Sequence, residues 1–292
     1  MKIYIISDLH LDYKANLEWL NHVLYRPYQG DILLLAGDIS HNYQQIKREL
    51  KHIRSKFKKV FFTPGNHDLW IHNHDWTDSL EKFKALMEFC ESEDVTTKRE
   101  DILINNKNIR IIPLHAWYTE PGQGDDHLYW PKPGEDKSNR MWSDNVHIQW
   151  PANERDFSPV KYFLALTEEN NMDKKADLII TMSHFLPREE MMFSEFPPKV
   201  NPEIMKKYDR NPLFNFSRVA GSNLIENKLR GLKSNIHVYG HQHINRDRVI
   251  EGVRYISHCL GYPSERRRGL IQNIGAGLKI IFDSDLHQNG LI

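Results

Sequence analysis

Apolar runs of strand length alternate with amphipathic stretches in the first third of the chain. Residues 3–7 and 31–36 form two such runs, and the second (DILLLA) is typical of a strand covered on both faces. Each run is followed by apolar residues at helical spacing: Leu17, Leu20 and Leu24 after the first, and Ile46, Leu50, Ile53 and Phe57 after the second. A third run, over residues 60–63, stops at Pro64-Gly65. This β-α-β-α-β order predicts a sheet with helices packed against it.

The last third of the chain is richer in strand-like runs than the first. A run over residues 177–182 precedes a helical pattern over 219–232. Four further strand-like stretches then follow, at residues 236–239, 247–257, 270–274 and 277–282. We therefore expect an α/β fold with two sheets rather than a simple doubly wound sheet.

A long stretch in the middle lacks this periodicity. Residues 118–159 are rich in Pro, Gly, Asp and Asn, and six of the seven tryptophans lie between Trp70 and Trp150. An irregular stretch of this length inside a compact domain usually forms a lid or a binding loop. We predict one domain over residues 1–292, with an irregular Trp-rich insertion at about residues 117–159. Its tryptophans can stack on a substrate ring, although packing onto the core is their more common role.

Composition and charge exclude several classes of protein. The chain has 39 Lys and Arg against 39 Asp and Glu, so no overall basic charge attracts nucleic acid, although a local basic groove is compatible with this balance. No stretch approaches the roughly 18 to 20 apolar residues of a membrane span, and the N-terminus lacks the apolar region of a signal peptide. Two cysteines, Cys90 and Cys259, are too few for a disulfide framework. We expect a cytoplasmic protein without membrane contact; these features do not determine its oligomeric state.

Five short motifs rich in Asp, His and Asn each follow a predicted strand. They are Asp8-Leu9-His10, Gly37-Asp38, Gly65-Asn66-His67-Asp68, Ser183-His184 and Gly240-His241-Gln242-His243. Extended residues i and i+2 point to the same side, so the first and last motifs can each present two ligands to one point. The glycines permit a close approach of backbone to a ligand. Each of these residues alone can be an ordinary turn or cap residue. However, α/β sheets gather their sites at the carboxyl ends of strands, and all five motifs lie at such ends. Their shared position favours one common site.

The residue types in these motifs suit a metal centre. Imidazoles and carboxylates with one amide, and no cysteine, suit borderline metals such as Mn, Fe, Zn and Co. A lone structural zinc site would favour several cysteines, which these motifs lack. The Asp38 carboxylate has two oxygens and can bridge two cations. Two cations about 3.5 to 4 Å apart can activate a water and clamp the attacking and leaving oxygens of an in-line phosphoryl displacement.

Taken in order, D-x-H, G-D, G-N-H-D, H and G-H-x-H resemble the motifs of the calcineurin-like metallophosphoesterase superfamily. The resemblance spans residues 3 to about 243, and every motif position is filled. It implies a four-layer α-β-β-α sandwich, in which two mixed β-sheets are flanked by helices. It also implies two divalent metal ions, with Mn as the first choice and Fe, Zn or Co as alternatives.

The same resemblance implies a role for each motif residue. One metal would be bound by Asp8, His10 and His243, and the other by Asn66, His184 and His241, with Asp38 bridging the two. His67 would not bind metal; it would lie over the leaving-group oxygen as general acid or transition-state stabiliser. Asp68 would help to orient this part of the site.

The chain departs from one branch of that superfamily. Protein Ser/Thr phosphatases carry a phosphate-binding arginine shortly after the G-D and another before G-N-H-E, whereas this chain has Ile39-Ser40 and Thr63-Pro64 there. The pattern is closer to cyclic-nucleotide phosphodiesterases and small-molecule phosphohydrolases. The stretch at residues 260–265 (LGYPSE) also looks like one found in bacterial-type members whose substrates are poorly defined.

Four residues outside the motifs are candidates for substrate binding. His115 and Trp117 follow a strand-like run, and Arg188 and Arg246 each lie a few residues past a motif histidine. Either arginine could reach a phosphate, although each is more often a solvated surface charge. The histidines of residues 72–74 (HNH) belong to no motif, and we expect them in a solvated loop.

The expected function is hydrolysis of a phosphomonoester or phosphodiester in a small phosphorylated substrate, by in-line attack of a metal-bound hydroxide. A nuclease or a cyclic-nucleotide phosphodiesterase is the alternative within this class, and a basic groove beside the metals would mark the nuclease. The alternative outside the class of phosphoester-cleaving enzymes is a catalytically inactive scaffold that keeps the fold. That alternative predicts missing ligands or a replaced His67, and the full set of motif residues counts against it.

Overall fold

Two mixed β-sheets pack face to face, and helices lie against their outer faces. The computed structural model describes residues 1–72, 75–151, 157–167, 175–195, 211 and 213–286. The strands in these ranges are β1 (Lys2–Ile6), β2 (Tyr28–Ala36), β3 (Phe57–Thr63), β4 (Val95–Thr96), β5 (Glu100–Ile104), β6 (Lys107–Pro113), β7 (Leu178–Met182), β8 (Ile236–Tyr239), β9 (Asp247–Ile250), β10 (Val253–Ser257) and β11 (Lys279–Asp283). The helices there are α1 (Lys14–Val23), α2 (Tyr43–Lys56), α3 (Ser79–Ser92), α4 (Asp144–His147), α5 (Pro159–Ala165), α6 (Asn223–Gly231) and α7 (Pro263–Arg267). None of these described helices combines the length and the apolar character needed to cross a membrane.

The strand order places the parallel strands at the centre of each sheet. The first sheet has the order β11-β1-β2-β3-β4, in which β11 is antiparallel to β1 and the other neighbours are parallel. The second has the order β5-β6-β7-β8-β10-β9, with antiparallel strands at its two edges. Its central neighbours, from β6 to β10, are parallel. Within each sheet, the carboxyl ends of the parallel strands therefore lie along one edge.

The continuous apolar run of β2 is buried on both faces. Ile32, Leu34 and Ala36 pack between the two sheets, whereas Leu33 and Leu35 pack in the cluster on the outer face. Alternate side chains of a strand point to opposite faces, so a strand between two covered faces is apolar at every position. Together with the outer cluster of the second sheet, this packing confirms the predicted four-layer sandwich.

Two stretches that were predicted as strands have a different conformation in the structure. Residues 247–257 form a hairpin of β9 and β10 rather than one strand, because Glu251 and Gly252 have positive φ angles of 49° and 81° and reverse the chain. Residues 270–274 form no strand, because the flanking Gly269 and the included Asn273 have left-handed φ angles of 69° and 64°. The apolar content of both stretches indicates burial but does not reveal these turns.

The tryptophans of the insertion pack on the second sheet. Within the described part of residues 117–159, regular structure is limited to α4 and the first residue of α5. Trp117, Trp142 and Trp150 join the apolar cluster on the outer face of the six-stranded sheet. For these three rings, packing is the observed role.

Candidate metal centre

The polar motifs lie where the carboxyl ends of strands from both sheets meet. Asp8, Asp38 and Asn66 follow β1, β2 and β3 of the first sheet, and His184 and His241 follow β7 and β8 of the second. The two sheets are linked at this point, since the backbone N–H of His241, which follows β8, donates to the carboxylate of Asp8, which follows β1, at 2.9 Å. Both sheets therefore contribute side chains to one site.

Three overlapping groups of Asp and His side chains could hold a cation within the described residues. In each group the ligand atoms lie within 4.8 Å of one another; the groups are Asp8, His10 and His243, then His10, Asp38 and His67, and finally Asp8, Asp38 and His184. Asp8 and Asp38 each belong to two groups. Adjacent cation positions would therefore share a carboxylate.

The Asp38 carboxylate lies at the centre of these groups. Its Oδ1 accepts the backbone N–H of His67 at 2.9 Å, and its Oδ2 lies 3.4 Å from Nε2 of His184 and 3.8 Å from Nε2 of His10. Burial raises the pKa of Asp38, but the positive charge of His184 and its hydrogen bond outweigh burial and hold the pKa well below its usual value. The carboxylate is therefore ionised and faces imidazoles from separate loops.

The buried donors fit a divalent cation. Asp8 and Asp38 are both buried, and buried carboxylates need a compensating positive charge. Nε2 of His10 lies 2.9 Å from Nε2 of His243, and Nδ1 of His10 is buried without a hydrogen-bond partner. Several imidazole nitrogens beside two carboxylates, with no thiolate, match the ligand preference of borderline metals. The residues present thus fit the metal centre that the motifs predict.

Two histidines are oriented by partners on the far side of the ring. Nδ1 of His243 lies 2.8 Å from Oε2 of Glu265, and Nδ1 of His184 lies 2.9 Å from the carbonyl of Ala36. The Nε2 atoms are then 3.3 and 3.4 Å from the nearest carboxylate oxygens of the cluster. Burial lowers the pKa of His184, but the charge of Asp38 and its hydrogen bond outweigh burial and raise the pKa to about 9. Metal-binding histidines characteristically use one nitrogen for such an outer partner.

Asn66 and His241 complete the set of seven predicted ligands. Oδ1 of Asn66 lies 3.2 Å from Nε2 of His184. Nε2 of His241 lies 3.0 Å from the carbonyl of Val219, so a metal at His241 would be bound through Nδ1. The His241 ring centroid is 5.0 Å from that of His184, although His241 belongs to none of the three groups within the 4.8 Å limit.

Five of the seven predicted ligands have a left-handed backbone. The φ angles are 52° at Asp8, 42° at His10, 57° at Asp38, 72° at His241 and 56° at His243. Residues other than glycine rarely adopt this conformation, which costs of order 1–3 kcal/mol at each position and persists where the surroundings enforce it. The tight turns after the strands are therefore held in strained conformations at the ligands themselves.

Two motif glycines are required by close packing. A Cβ atom on Gly65 would overlap Oδ1 of Asp38, and one on Gly37, which has a φ of 81°, would lie 2.6 Å from Nδ1 of His184. Real Cβ atoms essentially never approach this closely. Gly37 and Gly65 thus let the backbone pass close to the side chains of candidate ligands; close approach to a bound ligand stays a prediction.

His67 and Asp68 are adjacent in sequence but contact different parts of the site. The His67 ring stacks on Trp70 with centroids 3.7 Å apart, and burial lowers its pKa to about 4, so the ring is neutral at neutral pH. The Asp68 carboxylate accepts backbone N–H groups from Asp38 at 2.8 Å and from Gly65 at 2.9 Å. Burial and the neighbouring Asp38 raise the pKa of Asp68 to about 7. Asp68 therefore holds the loops after β2 and β3 together by binding their backbone.

The predicted substrate-binding residues His115 and Trp117 are packed in the interior. His115 is 7% exposed and lies against the edge of Phe83, and burial lowers its pKa to about 4. Trp117 is 3% exposed and packs against Trp150 and Phe185. A role for either ring in substrate binding stays a prediction, and the observed contacts are those of core residues.

The two predicted arginines have partners outside the candidate ligands. Arg188 donates to the carboxylates of Glu190, Glu226 and Glu251 at 2.6, 3.2 and 3.0 Å. Arg246 donates to the carbonyl of Met192 at 3.1 Å. Their role in phosphate binding also stays a prediction, and the ion pairs of Arg188 would have to break for it to bind a phosphate.

Asp144, which lies in the insertion, contacts the candidate metal centre. It is 2% exposed, and its Oδ1 accepts from Nδ2 of Asn66 at 2.8 Å and from Nε1 of Trp70 at 2.6 Å. Its Oδ2 accepts from the Tyr118 hydroxyl at 3.0 Å. Because the Asn66 amide donates to Asp144, its carbonyl oxygen is the atom directed to the cluster. Sequence reasoning missed Asp144, since nothing in the irregular stretch around it signals a buried carboxylate.

Comparison with known proteins relates most of the chain to phosphoesterases. The family model described as calcineurin-like phosphoesterase matches residues 1–245. A Mycobacterium tuberculosis protein named acyl-carrier-protein phosphodiesterase PptH is 26% identical over 274 residues, which are 91% of this chain and 79% of the relative. An uncharacterized protein, L509, of Acanthamoeba polyphaga mimivirus is 23% identical over 286 residues, covering 89% of this chain and 91% of that protein.

A solved structure shares the fold. The crystal structure of phosphopantetheinyl hydrolase PptH from Mycobacterium tuberculosis superimposes with a TM-score of 0.71 and 22% sequence identity. The match covers 96% of this chain and 95% of the solved one. At this level of identity the likeness confirms the two-sheet sandwich.

Asp144→Ala should weaken Mn²⁺ binding by about 10- to 100-fold, the usual loss for an outer partner of a metal ligand. The reason is that the Asn66 amide loses the acceptor that fixes its orientation. Asp144→Asn should lose less, since an amide oxygen can still accept from Asn66 and Trp70. Calorimetric titration with Mn²⁺ measures the affinity of each variant. Asp125→Ala, which changes an exposed aspartate of the same insertion, is the matched control. Wild-type affinity in Asp144→Ala would contradict this role.

Proposed function

The chain belongs to the calcineurin-like phosphoesterase family, and we propose that it uses two divalent cations to cleave phosphodiester bonds. As a member of that family it is a metal-dependent hydrolase that acts on phosphoester bonds. The two-cation site, its ligands and the preference for diesters rest on the arguments that follow.

The position of Asp38 carries the two-cation proposal. Its carboxylate belongs to two of the three candidate groups, and separate histidines face its Oδ2. One cation would be held by Asp8, His10 and His243 and the other by Asn66, His184 and His241, with Asp38 shared between them. This nitrogen and oxygen set suits Mn, Fe, Zn or Co, and Mn is the first candidate.

The chain's own residues would position the ester and stabilise its charge. When bound, two divalent cations supply Lewis-acid activation of a water and neutralise charge on the phosphoryl oxygens. His67 stacks on Trp70 beside Asp38, from where its neutral ring can donate an N–H hydrogen bond to the leaving-group oxygen. Asp68 acts indirectly, because its carboxylate fixes the backbone that carries Asp38.

Charge near the site supports a diester rather than a monoester. A phosphomonoester carries close to two negative charges at neutral pH, whereas a diester carries one, so a monoester gains more from additional cationic side chains. Among the described residues, Arg188 is paired with three glutamates and Arg246 is bound to a backbone carbonyl. The PptH relative is itself named a phosphodiesterase. These observations favour the singly charged ester.

A row of rings extends from His67 and would form one wall of the substrate site. Trp70 stacks on His67 at 3.7 Å, His147 of the insertion lies 4.9 Å from Trp70, and His72 lies 4.4 Å from His147. His72 lies in a loop and is partly exposed, and its ring packs among these rings with Nε2 buried; His74 lies outside the described residues. The row supports the view that the insertion helps to choose the substrate.

The substrate that we propose is the phosphodiester between a carrier protein and its phosphopantetheine arm. The Mycobacterium tuberculosis relative is named for an acyl-carrier-protein substrate, and the solved relative for a phosphopantetheinyl one. The two matches cover 91% and 96% of this chain. A cyclic nucleotide or a single-stranded nucleic acid would be the substrate under the alternative functions.

The Mn²⁺-loaded protein should prefer diesters. Its kcat/KM should be higher for bis(p-nitrophenyl) phosphate than for p-nitrophenyl phosphate, because Arg188 and Arg246, the two arginines considered for the monoester's second charge, are bound to other groups. It should also convert a phosphopantetheine-bearing acyl carrier protein to the unmodified form, which mass spectrometry detects. The same panel should include cyclic nucleotides and single-stranded oligonucleotides. A higher kcat/KM for the monoester would contradict the diester proposal, and exclusive activity on nucleotides would contradict the carrier-protein substrate.

Elemental analysis after Mn²⁺ loading should approach two ions per chain. Asp38→Ala should lower that number, because the shared carboxylate is lost and two cations would repel each other without it. Asp31→Ala, at an aspartate within β2 and away from the motifs, is the control. One ion per chain, unchanged in Asp38→Ala, would contradict the two-cation site.

His67→Ala should retain the metal but lose about 10²- to 10⁴-fold in kcat, the usual contribution of a positioned acid–base or hydrogen-bonding group. The loss should be greater for an alkyl diester than for bis(p-nitrophenyl) phosphate, since a poor leaving group needs more stabilisation. Steady-state kinetics on both substrates, with metal content measured in parallel, provide the test. Equal losses on the two esters would exclude a role at the leaving group.

A further inference from the structure

Tyr262 lies against the candidate ligands without belonging to any of the five motifs. Its ring centroid is 4.5 Å from that of His10 and 4.8 Å from that of His243. Its hydroxyl oxygen lies 3.4 Å from Nε2 of His67. The phenol is thus in contact with a proposed ligand of the first cation and with the proposed catalytic histidine.

The segment that carries Tyr262 is fixed to the metal centre at several points. Oε2 of Glu265 lies 2.8 Å from Nδ1 of His243, and the same oxygen accepts the backbone N–H of Tyr262 at 2.8 Å. The N–H of Gly261 donates to the carbonyl of Asp8 at 2.9 Å. Gly261 has a φ of 61°, and a Cβ there would lie 2.9 Å from the Glu265 carboxylate. One carboxylate therefore orients a candidate ligand and the backbone of Tyr262 together.

The spacing between the two polar atoms suits a shared acceptor. A separation of 3.4 Å is long for a hydrogen bond between Tyr262 and His67. Two donors at that separation can each reach the same small group of oxygens at ordinary hydrogen-bond distance. A phenol with a usual pKa of about 10 is protonated at neutral pH and can donate. The phosphoryl oxygens of an ester bound at this site would be such acceptors.

We propose that Tyr262 is a further catalytic residue, whose hydroxyl donates a hydrogen bond to a non-bridging phosphoryl oxygen beside His67. This inference rests on the proposed function, because it requires the ester to bind at the cluster. His67 serves the leaving-group oxygen and Tyr262 a non-bridging one, so the two residues contribute differently to the rate. A preorganised donor of this kind acts on charge that develops in the transition state.

The alternative is that Tyr262 only packs against His10 and His243. Tyr262→Phe separates the two roles, because it keeps the ring, the backbone N–H to Glu265 and the contacts with both histidines. A packing role predicts that this variant behaves as the wild type. A catalytic role predicts that only the hydroxyl matters.

In the Mn²⁺-loaded protein, Tyr262→Phe should lose about 10²-fold in kcat/KM with metal content little changed, because the hydroxyl binds the phosphoryl group of the bound ester and binds it more strongly in the transition state. The loss should be the same for bis(p-nitrophenyl) phosphate and for an alkyl diester, unlike that of His67→Ala. Tyr13→Phe is the matched control, since Tyr13 is 47% exposed and its ring lies 5.4 Å from that of Tyr262. A wild-type kcat/KM in Tyr262→Phe, or a loss that follows a loss of Mn²⁺, would overturn the proposal.

A binding measurement distinguishes failure of this proposal from failure of the proposed function. Inorganic phosphate should bind the Mn²⁺-loaded Tyr262→Phe variant about tenfold more weakly than the wild type, by roughly the net value of one hydrogen bond to a charged group. Calorimetry detects this without turnover, so it is informative even if the wild type cleaves none of the esters tested. Equal phosphate affinities in the two proteins would overturn the proposal, whatever the substrate proves to be.

Discussion

The structure depends on a buried negative charge where its two sheets meet. Asp38 presents one carboxylate oxygen to the backbone N–H of His67 and the other to imidazoles from separate loops. Asp68 binds backbone N–H groups on both sides of this arrangement, so the loops after β2 and β3 behave as one unit. Two carboxylates this close compete for ionisation: neighbouring imidazoles keep Asp38 charged, whereas burial and Asp38 raise the pKa of Asp68 to about 7. A bound cation would relieve that competition.

Distant parts of the chain orient the candidate ligands around this charge. Asp144 of the insertion fixes the amide of Asn66, and Glu265, near the C-terminal end of the described chain, contacts the imidazole of His243. Asp144 also binds Trp70, on which His67 stacks, so one side chain supports both a proposed ligand and the proposed catalytic ring. The insertion, for which we propose a role in substrate choice, therefore also supports the candidate metal centre. A deletion across residues 122–145, for example, would remove Asp144 together with any wall over the site.

Aromatic rings give the site its rigid boundary. His67 is held between Trp70 at 3.7 Å and the edge of His10 at 4.6 Å, with the Tyr262 hydroxyl at its Nε2. Such packing limits rotation of the imidazole and keeps its donor atom at a fixed distance from Asp38. We therefore expect neutral rings to place the ester and the cations to compensate its charge. This agrees with the observation that Arg188 and Arg246 are bound to other groups.

The sequence by itself determined the layers of the fold and the identity of the candidate ligands. The continuous apolar run of β2 and the helical spacing after it follow from local geometry, and the motifs are short turns whose residues are adjacent in the chain. The sequence did not reveal the turn at residues 251–252. The pattern of apolar residues does not indicate the left-handed φ angle of a non-glycine residue such as Glu251. Nor did the sequence reveal Asp144, the ion pairs of Arg188 or the position of Tyr262 beside His67. Most of these contacts join residues far apart in sequence, Tyr262 and His67 being 195 positions apart. Only the packing of the insertion and the C-terminal segment onto the sheets brings such residues together, and tertiary structure therefore decided how the candidate ligands are oriented and what surrounds them.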